Sequence, residues 1–295
     1  MMVIRKTKKE RIFDLFNFLF MLVMVVITLY PFYYVVNCSL SDSNFLVGNK
    51  GLMLFPQGFN LDSYKMVFKN PNILSGYRTT LLIVVLGTAL NILMTAICAF
   101  LLSRKNFAIS KAMSYLAVFT MYFGGGMIPT YLLIYSTLHL GDSIWALILP
   151  CAINTYNMII MRTNFSGIPA SLEESAKIDG ANDIVVLFRI ILPLSMPVVA
   201  VMVLFYGVAH WNSWFNAMLY IRTRTKYPLQ LILREILLLN NTEAMSGAAA
   251  GTDKYNIGEG IKYATIIVAT LPILFVYPFI QKYFVKGMMV GAVKG

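Results

Sequence analysis

Apolar and polar residues in this chain do not alternate; they segregate. Six long windows, 15–41, 79–103, 112–141, 143–161, 190–221 and 263–281, contain no Asp, Glu, Lys or Arg. Each is long enough to cross a hydrocarbon core of about 30 Å, which takes roughly 20 helical residues. The windows are apolar all round, as in Leu81-Leu82-Ile83-Val84-Val85-Leu86, whereas the strands of a membrane barrel alternate apolar and polar over about ten residues. The pattern predicts an all-α membrane protein with six transmembrane helices. An even number of crossings returns both ends to one side.

Composition agrees: 58% of the 295 residues are hydrophobic and 13% charged, outside the range of soluble domains. The net charge of +11 fits a nucleic-acid binder or a membrane protein that gathers Lys and Arg in its cytoplasmic segments, and the distribution decides. With the N-terminus inside, cytoplasmic segments hold 14 basic residues and outer segments 10. The outer ones sit in long loops, where the positive-inside rule weakens. Both ends are therefore expected inside, with no nucleic acid as partner. Tyr30, Tyr33 and Tyr34 then fall at the outer end of the first span, at headgroup level. The first window follows a basic leader but is too long for a secretory signal and lacks its cleavage pattern, so it reads as a retained span. The expected organisation is a leader over 1–14, a spanning domain over 15–281 and a cytoplasmic tail over 282–295. Outer loops take about 42–78 and 222–262, and one conspicuous cytoplasmic segment takes 169–193.

Several chemistries are excluded. All 13 carboxylates lie outside the windows, so there is no mid-membrane group through which a proton gradient could drive transport. No stretch fits the G-x-x-x-x-G-K-[ST] phosphate cradle, so this chain is expected to bind no cofactor and any energy comes from a partner. The two histidines, His139 and His210, and the three cysteines, Cys38, Cys98 and Cys151, have neither catalytic nor metal-ligand spacing, so catalytic and metal residues are expected to be none. His210 reads as a hydrogen-bonded structural residue.

The cytoplasmic segment carries explicit local signals. Ser171 and Glu174 have capping-box spacing, Glu173 and Lys177 can pair at i,i+4, and Gly180 permits a stop. These predict one helix over about 172–179. Asn182 or Asp183 can cap a second, with Ile184, Val185, Leu187, Phe188 and Ile191 against the membrane base until Pro193 breaks it. Such a helix-turn-helix can seat in a groove of another protein and pass on rigid-body movement, or it can lie at the interface as an ordinary amphipathic helix.

The spacing Glu174-Ser175-Ala176, Gly180, Ile190 and Leu192-Pro193 resembles the EAA loop of ABC importer permeases, departing only at Ser175. The fuller run from Glu173 to Ala181, the Leu29-Tyr30-Pro31-Phe32 stretch and the tail from Lys282 to Gly295 are similar to the carbohydrate, maltose-permease-like branch of that family. The resemblance implies a type I importer fold and a bacterial cell-membrane location. It also implies a second homologous permease subunit, two cytoplasmic ATPases that bind ATP and Mg, and an extracytoplasmic solute-binding protein. On that likeness 172–180 is the helix that couples to the ATPase. Glu173, Glu174, Ser175, Ala176, Asp179, Gly180, Ala181, Leu192 and Pro193 form the coupling set.

A sugar pathway needs aromatic faces and neutral amides. The fourth and fifth windows carry both: Asn154, Tyr156 and Asn157, then Trp211, Asn212, Trp214 and Asn216, with Asn212 and Asn216 sharing one face at i,i+4. Interhelical hydrogen bonds and an aromatic belt are the plainer reading. Gly124, Gly125, Gly126 and Pro129 interrupt the third window, as a hinge or as close backbone packing. The leading expectation is the membrane subunit of an ATP-driven oligosaccharide importer. A permease for another solute, or a scaffold recruiting a signalling protein, uses the same cytoplasmic segment.

Overall fold

The computed structural model describes residues 7–48, 51–104, 107–238, 260–276 and 278, and residues 1–6 of the leader, 239–259 of the second outer loop and the tail at 282–295 lie outside them. The described chain is helical throughout, with no strand. In order the helices are α1 (Lys8–Ser39), α2 (Ser43–Gly48), α3 (Asp62–Lys69), α4 (Pro71–Ser103), α5 (Ser110–Tyr122), α6 (Met127–Thr137), α7 (Trp145–Ile148) and α8 (Thr155–Ser166). There follow α9 (Ala170–Ile178), α10 (Asp183–Leu194), α11 (Met196–Trp211), α12 (Phe215–Tyr220), α13 (Leu229–Leu238) and α14 (Gly260–Val276).

Two of these, α1 and α4, are each long and apolar enough to cross a bilayer unbroken, while α5 with α6 and α10 with α11 qualify only as pairs bent by 111° and 87°. The described residues thus hold two candidate crossings, or four if each bent pair is one, against the six expected from the charge-free windows. The fourth window is broken as well. Pro150 sits in a single 3-10 turn, Leu149–Cys151, and Asn154 then leaves the helical region to cap α8, its side chain accepting from the Asn157 N–H at 3.0 Å.

The chain divides into two compact units. In the first, residues up to Asn70 with Ile236–Thr270, α1 opens on a capping box between Thr7 and Glu10. Its side chains from Phe18 to Ile27 are exposed and apolar on every side. Its C-terminal end closes on a small core of Cys38, Leu46 and Met53, against which Tyr34 and Tyr263 pack. The Ser41 hydroxyl donates to the Asn37 carbonyl at 2.7 Å and accepts from the Gln57 N–H at 3.0 Å, tying the following loop to the helix end.

In the second unit, residues Pro71–Glu235 with Leu271–Gly295, α4 is the spine. Small or polar residues recur on its buried face at spacings of four or seven: Gly76, Thr80, Gly87, Asn91, Thr95 and Ala99. Within a bilayer, where apolar burial gives little drive, such a stripe lets helices approach closely and hydrogen-bond. A Cβ on Gly87 would lie 2.6 Å from His210 Nε2 on α11, and one on Gly76 would meet Ile232 and Leu229 of α13. Two cores form along α4. One joins Ala96, Ala99 and Phe100 to Met161 and Phe165 of α8, Val186 and Ile191 of α10, and Met202 and Tyr206 of α11. The other joins Ile83 to Ile134, Leu147 and Ile148, Ala217 and Tyr220, and Leu231.

The turn after α6 is latched by one carboxylate. Asp142, at φ 55, accepts from the Arg222 N–H at 3.0 Å, the Thr223 N–H at 2.9 Å, the Thr223 hydroxyl at 2.6 Å and Lys226 Nζ at 2.8 Å. Its own N–H donates to the Tyr220 carbonyl at 2.8 Å. Hydrogen bonds from Lys226 first, then from Thr223 and the Arg222 backbone, hold this carboxyl well below the usual carboxylate range. A depressed folded-state pKa gives stability that is complete above the unfolded value near 4 and is lost as pH falls below it. The latch is therefore constant across neutral and mildly acidic pH. Asp142→Ala removes four acceptor contacts and places a Cβ-only side chain in a left-handed turn, and should cost about 2 kcal/mol. Asp142→Asn, which tolerates that backbone, should cost less, as read from thermal unfolding in detergent.

Candidate functional site

The segment between the fourth and fifth windows is two helices on a stiff turn. α9 begins at Ala170, earlier than the spacing suggested, with Pro169 at its N-cap and no side-chain cap, so the expected Ser171–Glu174 box does not form. Proline at the boundary presets the backbone, and Ser171 already lies inside the first turn. Three other local expectations hold. Lys177 meets Glu173 at 3.1 Å, Gly180 stands at φ +83, and the Asn182 side chain accepts from the Val185 N–H at 2.9 Å. The helix does not stop at Pro193. Residues Leu187–Ile191 widen into a π-turn, Leu192 follows it, and α10 ends at Leu194 before an 87° elbow at Ser195. The wider ladder relieves the clash of the Pro193 ring with the carbonyl one turn earlier. Val186, Leu187 and Ile191 are the buried residues of this helix, while Ile184 and Phe188 are exposed.

The expected coupling set separates into two faces. Ala176, Ala181 and Leu192 pack against the core that α4, α8 and α11 build. Glu173 also turns inward: its side chain is 12% exposed and forms an ion pair with Arg104 at the end of α4, whose guanidinium stacks 4.4 Å over Phe100. Lys177 bridges Glu173 and Asp183, both at 3.1 Å, and the two carboxylates hold its ammonium above the ordinary lysine pKa. Glu173 is thus a brace for α9. Glu174, Ser175, Asp179, Gly180 and Pro193 are exposed. Beside them Ile178 is 86% exposed, so the free face is an apolar tip ringed by carboxylates. Ser175 faces outward, and its hydroxyl costs no helix packing. Arg104 was not legible as a partner because it lies 69 positions before Glu173.

The amide-rich region is built around a break. Asn91 on α4 donates to the Cys151 carbonyl and accepts from His210 Nε2 at 2.6 Å. The Tyr206 hydroxyl lies 2.7 Å from Thr95 Oγ1 and accepts from the Asn154 N–H at 3.3 Å. His210 therefore has the structural role its sequence context suggested. α11 ends at Trp211 and α12 starts at Phe215, so Asn212 and Asn216 do not share a face at i,i+4 as a continuous helix would give. Asn212 and Asn154 are exposed, Asn216 and Trp214 are half-buried, and Asn216 Nδ2 points to Cys151 Sγ at 3.9 Å. Tyr156 is exposed, whereas Asn157 is buried. Trp211 is buried edge-on to Tyr77 and lines an apolar hollow with Leu81, Val84 and Gly207. Asn154 and Asn212 are thus exposed amides at breaks in otherwise apolar stretches.

In the third window α5 ends at Tyr122 and α6 starts at Met127. Of the three glycines only Gly126 has a left-handed backbone, φ +84. A Cβ on Gly124 or Gly125 meets nothing within 4 Å, so close backbone packing is not what they serve here. Pro129 sits in the first turn of α6, where its missing N–H costs nothing. Among the described residues no three His, Cys, Asp or Glu side chains gather as a metal site.

Broken helices around a polar seam, with a braced helix-turn-helix at one end, define a membrane permease subunit. The comparisons give the family. No family model matches the chain. It is 45% identical to Protein LplC of Bacillus subtilis over 98% of this chain and 97% of that protein. It is 42% identical to the polygalacturonan/rhamnogalacturonan transport system permease protein YtcP of Bacillus subtilis, over 97% and 100%. Among solved structures, a chain of a bacterial ABC transporter that imports the acidic polysaccharide alginate matches with a TM-score of 0.86 and 27% identity, over 96% of this chain and all of that one. The chain belongs to the sugar permeases of ABC importers. It is an integral membrane transport subunit and not an enzyme.

Two outcomes follow from these geometries. Gly126→Val should destabilise the protein by about 1–2 kcal/mol, because it forces an L side chain into a left-handed bend, whereas Gly125→Val should leave thermal unfolding unchanged. Arg104→Ala removes one of the two cations that pair with the largely buried Glu173 carboxylate and should cost about 1–3 kcal/mol. The exchange Arg104→Glu with Glu173→Arg should recover part of that loss in the same unfolding assay.

Proposed function

We infer that this chain is one of two permease subunits of an ATP-driven importer for oligosaccharides, of the type I arrangement, in the cell membrane of a bacterium. Both ends lie in the cytoplasm and the chain crosses the membrane six times, with the bent pairs and the broken fourth window counted as crossings. The basic-residue distribution and the exposed helix-turn-helix support that orientation. Two ATPases bind ATP and Mg and hydrolyse the nucleotide, and this chain holds neither. A solute-binding protein delivers cargo to the outer face.

The observation that carries the reading is the free face of α9. Glu174, Asp179 and the 86% exposed Ile178 stand on a helix whose other face is fixed to the core by Ala176 and to α4 by the Glu173–Arg104 pair. A rigid helix with an apolar tip suits a groove on a partner, and its brace carries displacement into α4. Asn154, Tyr156, Asn157, Trp214, Asn212 and Asn216 mark the region where the sugar passes, and the bend at Gly126 is the hinge. Trp211, on the apolar side, supports the helix end. The relatives named for polygalacturonan and alginate favour an acidic oligosaccharide as cargo.

Glu174→Lys reverses a charge on an exposed position, so the subunit should still fold and insert. In proteoliposomes holding the whole transporter, it should lower sugar-stimulated ATP hydrolysis and uptake at least tenfold. Full hydrolysis and uptake with that variant would refute the assignment of α9 as the coupling element.

A further inference from the structure

We propose that Arg234, laid flat on Trp214, is a carboxylate-binding subsite on the outer side of the pathway and selects uronate-containing oligosaccharides over neutral ones. The proposal rests on the importer reading above and names the residue that reads the cargo's charge. The Arg234 guanidinium carbon lies 4.4 Å from the Trp214 ring centroid. Its Nη1 contacts Met218 Sδ at 3.3 Å, a weak acceptor. Trp214 is itself held edge-to-face against Phe215, with centroids 5.6 Å apart. The guanidinium is therefore held over the indole ring, while its strong donors have no carboxylate among the described residues.

The neighbouring carboxylate is already engaged. Glu235 pairs with Arg224 at 3.2 Å and Asp142 with Lys226 at 2.8 Å, so among the described residues Arg234 has no carboxylate partner. An arginine presents a planar fork that matches a carboxylate with two parallel hydrogen bonds, and stacking on an indole keeps that fork ordered. The place suits a sugar. Trp214 lies between Asn212 and Asn216 in the chain, Asn212 is exposed, and an exposed amide in an apolar stretch is costly against lipid. An aromatic ring, neutral amides and one ordered cation together match the face, hydroxyls and carboxylate of a uronic acid.

The test uses the complete transporter with its ATPases, second permease and binding protein in proteoliposomes. The probes are an α-1,4-linked galacturonate trisaccharide and its methyl ester, which keeps the shape and removes the charge. Arg234→Gln should raise the KM for the free acid at least tenfold and leave that for the ester within twofold. Arg234→Lys, which keeps charge without the fork, should fall between. Arg224→Gln, removing a cation already paired, should not discriminate between the probes.

With the binding protein omitted, equilibrium binding of labelled free acid to the detergent-solubilised complex should weaken at least tenfold in Arg234→Gln. Equal losses for both probes, or none for the acid, would overturn the subsite while leaving the importer intact. An effect that appears only in vesicles of anionic lipid would also overturn it, by assigning Arg234 to a headgroup phosphate. No ATP-dependent uptake of either probe by the wild type would overturn galacturonate as cargo, and with it the subsite, while leaving the family assignment intact.

Discussion

A polar group inside a bilayer has no water to turn to, and Asn91 is where this fold meets that constraint. Its amide donates to the Cys151 carbonyl, freed by the break in the fourth window, and its oxygen accepts from His210. One side chain on α4 thus ties a broken helix to α11. The Thr95–Tyr206 contact, one turn further along, passes the same support to the Asn154 N–H. Without these partners, backbone exposed by the break would cost several kcal/mol per group in hydrocarbon. The small residues of α4 are the precondition, since Gly87 leaves the room that the His210 ring occupies.

The two ends of the bundle use ionic chemistry that the membrane interior avoids. At the end that carries α9, Arg104, Glu173, Lys177 and Asp183 form a chain of alternating charge from the end of α4 to the start of α10. At the other, Asp142 and Lys226 close a turn against the residues that follow α12. Each set fixes a loop to the bundle without placing a charge at mid-membrane. Glu174 and Asp179 at the first end, and Arg234 at the second, stand where the proposed partners and cargo approach.

Much of this was legible in the sequence, and the division follows interaction range. Signals within four or five positions survived: the Glu173–Lys177 pair, the Asn182 cap, the turn at Gly180 and the break at Gly126. The Ser171–Glu174 box failed for a local reason too, because Pro169 started the helix sooner. What the sequence did not disclose was held by distant partners. The fourth window looks like an uninterrupted span until Asn91, 60 positions away, is seen to receive its open carbonyl. The face shared by Asn212 and Asn216 was an inference from continuity, and the helix ends between them. Arg104 and Arg234 carry no motif at all; contacts with Glu173 and Phe100 single out the first, and stacking on Trp214 the second.

The elbow at Ser195 has a mechanical consequence. Its N–H donates to both the Ile191 and Leu192 carbonyls, at 3.0 and 3.1 Å, so the corner is a stiff joint between α10 and α11. A rod of 16 residues set at 87° to its neighbour behaves as a bell crank. Tilting the short arm by about ten degrees sweeps the far end of the long arm through roughly 4 Å, given about 24 Å of helix. That far end carries His210 and Trp211. Small rotations at one end of the bundle are therefore magnified at the polar seam in its interior.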